Sequence, residues 1–88
     1  MNFELNAKGG WIVPKNTVLS EFAEIPAYST LGNWCRIGDE CKIGDECTIG
    51  VECTIGVECT IGDWCKIGDE CKIGDECKIG DGCKFGIN

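Results

Sequence analysis

Eighty-eight residues leave room for one domain, and a globular chain of that length buries only a marginal core. A net charge of −7 and an isoelectric point near 4.4 argue against nucleic acid and anionic membranes as partners. No apolar run approaches a bilayer span, and the opening MNFELNAKGG has neither a basic leader nor an apolar stretch, so the expected location is cytoplasmic.

Residues 1–10 read as an N-terminal capping segment, because Phe3 and Leu5 alternate with polar residues and Lys8-Gly9-Gly10 has turn chemistry. Residues 11–88 read as a single hexapeptide-repeat domain. Its first hexads are WIVPKN, TVLSEF, AEIPAY and STLGNW, and nine more, from CRIGDE to CKFGIN, each begin on a cysteine. The third position is always large and apolar: Val13, Leu19, Ile25 and Leu31, then eight isoleucines and Phe85. Glycine follows it in every cysteine hexad, and Pro14 and Pro26 occupy that slot in two early ones.

Such strict spacing decides against a disordered low-complexity chain, although 13 residues are glycine. It also departs from the 3.6-residue period of a helix. In a short strand, residues one and three point to one side and residue two to the other. Positions one and three are therefore interior, position two (Lys, Arg or Thr) faces solvent, and the last three residues turn a corner. Glycine is expected to supply corner backbone angles that a β-carbon forbids. Each hexad covers its apolar face by stacking on its neighbours, which releases a short chain from the core-size limit.

The pattern aliphatic-Gly-x-x-small-x, sustained from Trp11 to Asn88, resembles the hexapeptide-repeat proteins. The resemblance implies an all-β fold: a left-handed parallel β-helix solenoid of about four triangular coils, three hexapeptides to each. Residues eighteen apart then stack at about 4.8 Å. The cysteines fall into three interior columns: Cys35, Cys53, Cys71; Cys41, Cys59, Cys77; and Cys47, Cys65, Cys83. The family also implies a homo-oligomer, most often a trimer. It includes acyltransferases with a histidine base and a carbonic anhydrase class with three zinc-binding histidines. This sequence has no histidine, which removes both mechanisms as usually written. No carboxylate stands apart from its repeated corner. No catalytic, cofactor-binding or metal-ligating residue is assigned, and no cofactor is expected.

The nine cysteines admit three readings. Disulfides are disfavoured by the odd number and by stacking at about 4.8 Å, where a bridge wants β-carbons about 3.8 Å apart. Structural zinc is disfavoured because the spacing is C-x5-C throughout. The reading adopted makes each a small hydrophobe beside a bulky isoleucine. Thr48, Thr54 and Thr60 fall on three different faces, so they form no ice-binding ladder.

Six residues are candidates for an interface. Phe22, Tyr28 and Trp34 end three successive hexads, Trp64 returns at the same position, and Val51 and Val57 replace aspartate in a less charged middle coil. Large exposed aromatics mark contact surfaces, although the N-terminal segment folding over some rings would explain them equally. The repeats reach Asn88 without a polar cap, which leaves a strand edge for a partner, or for more of a longer protein, to cover. The function expected is a non-catalytic structural or assembly module that self-associates. The alternative is an acyltransferase-like protein acting on a small acceptor, with the histidine role lost or replaced.

Overall fold

The computed structural model describes residues 3–87, and Asn88, the end of the last hexad, lies outside them. The strands are β1 (Glu4–Leu5), β2 (Trp11–Val13), β3 (Val18–Leu19), β4 (Glu24–Ile25), β5 (Thr30–Leu31), β6 (Arg36–Ile37) and β7 (Lys42–Ile43). They continue as β8 (Thr48–Ile49), β9 (Thr54–Ile55), β10 (Thr60–Ile61), β11 (Lys66–Ile67), β12 (Lys72–Ile73), β13 (Lys78–Ile79) and β14 (Lys84–Phe85). From β2 onward each strand recurs six residues after the last, as the repeat requires.

Three sheets form the sides of the solenoid. Their orders are β1-β2-β5-β8-β11-β14, β4-β7-β10-β13 and β3-β6-β9-β12. Within each, strands of successive coils run parallel with partners eighteen residues apart, as in Thr30↔Thr48 and Lys66↔Lys84. The result is a β-solenoid of about four turns. β1 is the exception and pairs antiparallel with β2, Glu4 opposite Ile12. Asn6 holds the turn between them by accepting the amides of Lys8 and Gly10 at its side-chain oxygen.

Side-chain alternation sorts each hexad as the pattern demands. The third-position residues from Val13 to Ile67 and the cysteines from Cys35 to Cys65 form one continuous buried core. Burying a side chain the size of isoleucine contributes roughly 1.5–3 kcal/mol, so each coil carries three such contributions. The two ends differ. Val13, Leu19 and Ile25 at the first coil are at most 6 % exposed, whereas Ile79 and Phe85 at the last are 42 % and 51 % exposed. Cys71, Cys77 and Cys83 are only half-buried, so each interior cysteine column opens at its upper end.

The repeat glycine has a different purpose from the one its flexibility suggests. Positive φ falls on the sixth residue of the hexad: Asn16, Phe22, Tyr28, Trp34, Trp64 and the glutamates from Glu40 to Glu76, at +55° to +66°. The glycines at position four do not share it. They are required by closeness, since a β-carbon on Gly32 would lie 2.6 Å from Lys15 N and one on Gly68 2.7 Å from the Gly50 carbonyl. The first coil has no coil beneath it to clash with. The fourth-position amide of each later coil donates to the third-position carbonyl below, Gly32 to Val13 and Gly44 to Ile25, both at 2.9 Å. The first coil has no such carbonyl to reach, so Pro14 and Pro26, which lack an amide proton, are tolerated there.

Candidate functional site

Corners and thiols hold the groups that could do chemistry, and the backbone engages most of them. All nine cysteine thiols donate to the fourth-position carbonyl twenty-one residues earlier, from Cys35 to the Pro14 oxygen at 3.3 Å through Cys83 to the Gly62 oxygen at 3.2 Å. That carbonyl turns inward because its amide neighbours are committed to the ladder. A thiol is the smallest side chain that is apolar enough for the core and still offers a proton. Reading cysteine as a hydrophobe alone missed this bond. The one sequence clue is that hydroxyl residues hold the first hexad position at Thr17, in the first coil, and Ser29, at the start of the second, where they donate to the Pro14 and Pro26 oxygens at 2.6 and 2.7 Å.

Several thiol pKa values are raised, while that of Cys47 is lowered by its side-chain hydrogen bond with Cys65. Desolvation pushes Cys53 up to about 11 and also raises Cys59 and Cys83. Cys65 is raised first by the side-chain hydrogen bond with Cys47 and then by burial. The raised four are neutral thiols at physiological pH and poor nucleophiles. All nine are free. Among the described residues, no group of three or more His, Cys, Asp or Glu side chains is placed to hold a metal ion.

Four of the corner aspartates are engaged as well. Asp39 Oδ1 accepts the Val57 amide at 2.9 Å, Asp45 the Asp63 amide at 2.8 Å, and Asp63 and Asp69 the amides of Asp81 and Ile87 at 2.9 Å. Asn33 does the same for Val51. Val51 and Val57 offer no such acceptor to the residues stacked on them, Asp69 and Asp75.

The six interface candidates do not converge on one patch. They divide among the three corners, two to each. Trp34 and Val51 share one corner in adjacent coils, where the Trp34 amide donates to the Val51 carbonyl at 3.0 Å. Phe22 and Val57 share the second, two coils apart, with Asp39 and Glu40 between. Tyr28 and Trp64 share the third, and the N-terminal segment reaches Tyr28: Lys8 Nζ lies 4.8 Å from its ring centroid and Asn6 donates to its carbonyl at 2.8 Å. Phe3 packs against Trp11 with the rings tilted and their centroids 5.2 Å apart. Phe22 and Trp34 remain 62 % and 47 % exposed. Val57 and Trp64 flank the same sheet in one coil, on either side of Thr60.

Trp64 is 65 % exposed, yet its ring has a partner. A β-carbon on Gly82, the residue stacked above it, would overlap the six-membered ring. Gly82 is the single glycine at the sixth position of a hexad, so the one missing side chain lies where the tryptophan ring needs room. Thr48, Thr54 and Thr60 do lie in three separate sheets. The spacing rule that separates them also pairs Thr30 with Thr48, a contact of two rungs.

Residues 52–86 match the family model for bacterial transferase hexapeptide (six repeats), a stretch covering less than half of the chain. No curated protein and no solved structure matches the chain. The matched stretch has the same hexad register as the rest of the coil from Trp11 on, and the chain is a hexapeptide-repeat β-solenoid.

Proposed function

We propose that this chain is a non-catalytic assembly module that self-associates. One observation carries the reading: all nine thiols and four corner aspartates, Asp39, Asp45, Asp63 and Asp69, are used as hydrogen-bond partners of neighbouring coils. Their chemistry is structural, and its repetition from coil to coil marks no position for a substrate. The absence of histidine from the sequence supports the same conclusion for acyl transfer as usually performed on this fold.

Self-association is supported by the exposed apolar side chains at the corners. In the middle coil Val57 and Trp64 flank uncharged Thr60, which suits a parallel neighbour at that level, while a net charge of −7 opposes unspecific association. A closed trimer is the assembly proposed. Light scattering at tens of micromolar chain concentration tests it, and a monomer there defeats the proposal. Trp64→Glu with Val57→Glu should dissociate the trimer and leave the β-sheet circular dichroism unchanged. The family match favours one second reading, acyl transfer to a small acceptor. Turnover of acetyl-coenzyme A that is lost on changing one particular Asp or Glu would establish that reading instead.

A further inference from the structure

Charge is shared unevenly among the three corners. The corner of Trp34 and Val51 is tied level to level by the Asn16 amide on the Asn33 carbonyl and the Trp34 amide on the Val51 carbonyl, both at 3.0 Å. From Lys15 up to Val51 it carries no acidic residue; the first is Glu52. The corner of Phe22 and Val57 is tied in the same way, Phe22 to Asp39 at 3.0 Å and Glu40 to Val57 at 2.9 Å. Over the same three coils it exposes Glu21, Asp39, Glu40 and Glu58.

The sheet between these two corners is β3-β6-β9-β12. Its outward residues, Val18, Arg36, Thr54 and Lys72, include no acid, and Val18 is 62 % exposed. Each of the other two sheets is bounded by the corner of Tyr28 and Trp64, which bears Asp45, Glu46 and Asp63.

We propose that, within the trimer on which this inference rests, the corner of Trp34 and Val51 docks on the corner of Phe22 and Val57 of a second copy of this chain. A three-sided chain that turns one side to a threefold axis sets the two corners of that side against its two neighbours, and such unlike contacts close into a ring. The side facing the axis is then β3-β6-β9-β12. Charge complementarity carries the argument, because opposed potentials select partner and register. Lys15 stands at the level of Glu21, Arg36 beside Trp34 at the level of Asp39 and Glu40, and Val51 at the level of Val57. In the fourth coil Asp69 and Glu70 would face Asp75 and Glu76, which confines the contact to the lower three coils. Val57 belongs to the contact; Trp64, at the remaining corner with its ring against Gly82, lies outside it.

Reversing the charges of one corner tests the pairing. Lys15→Glu with Arg36→Glu should raise the chain concentration at half-dissociation roughly ten-fold by light scattering. Adding Glu21→Lys and Glu40→Lys to the same chain should bring it back. Lys66→Glu with Lys84→Glu, an equal change of net charge on another sheet, should leave it unmoved, as should Trp64→Glu alone. Val51→Cys with Val57→Cys, gently oxidised, should link copies into covalent trimers on denaturing gels where the parent chain gives none. A trimer that tolerates the reversal, or one in which the introduced cysteines do not link, overturns this pairing and leaves self-association standing. A monomeric parent chain overturns both.

Discussion

Moving a glycine by two residues separates the two explanations for its place in the repeat. At Gly56, an alanine β-carbon would lie 2.7 Å from both Asp39 N and Gly38 C, against a comfortable contact of about 3.5 Å. Both near atoms are backbone held in a ladder, so the coils must part by several tenths of an ångström. Overpacking of this kind costs about 1–3 kcal/mol, and Gly56→Ala is expected at the upper end. Glu58, at φ +56°, poses the opposite case. Left-handed backbone costs a residue with a β-carbon roughly 1–2 kcal/mol, while glycine adds about 0.4–1 kcal/mol of unfolded-state entropy to be lost. Glu58→Gly should therefore lie between neutral and about 1 kcal/mol stabilising. Urea titration reads both, provided the slope stays constant between variants. If Gly56→Ala stays within about 0.5 kcal/mol of the parent, closeness is not what the glycine serves.

Two further outcomes follow from the thiols and the corners. The Cys53 thiol, raised by burial from its ordinary 9.0 to about 11, keeps its proton in the folded chain after the unfolded chain has lost it. Its contribution to stability is full below about pH 9 and is lost as pH rises toward 11. Thermal unfolding from pH 7 upward should show a midpoint that starts to fall near pH 9, less steeply in Cys53→Ala; a flat profile through pH 10 would contradict the assignment. Val57→Asn should give the Asp75 amide the acceptor that Asn33 gives Val51, and raise stability by about 0.5–1 kcal/mol. A destabilised variant would show that the valine is held by packing instead.

The periodicity predicted the strands and the core, because period and side-chain alternation are the same fact seen along and across a strand; the resemblance to hexapeptide-repeat proteins, with three hexads to a coil, implied the three sheets and the cysteine columns. It left the reason for glycine undetermined. A hexad with one flexible residue places the flexible residue at the corner by default, and only coordinates show that glutamates and aromatics take the left-handed angle. The thiol donor bond was equally invisible, since it depends on which way a carbonyl turns in the coil below. Of the interface candidates, Phe22, Tyr28, Trp34, Val51, Val57 and Trp64 were legible as anomalies within a repeat. Their division among three corners follows from spacing modulo eighteen. The contact of the Trp64 ring with Gly82 was not found because the two lie three hexads apart, and only the stacking of coils sets the tryptophan against the missing side chain.

That contact bears on how the chain finds its alignment. Hexads such as CKIGDE are close to interchangeable, so a coil displaced by six residues would still fill the core and still complete its ladders. A sequence of this kind risks several nearly equal arrangements, the ruggedness that slows or divides folding. Trp64 and Gly82 distinguish one arrangement from its shifted neighbours, because a slip of one hexad sets the indole against Glu76. Like the two teeth of a key, they make the correct alignment of the upper coils the cheapest one, in a region where the core residues cannot tell one hexad from the next.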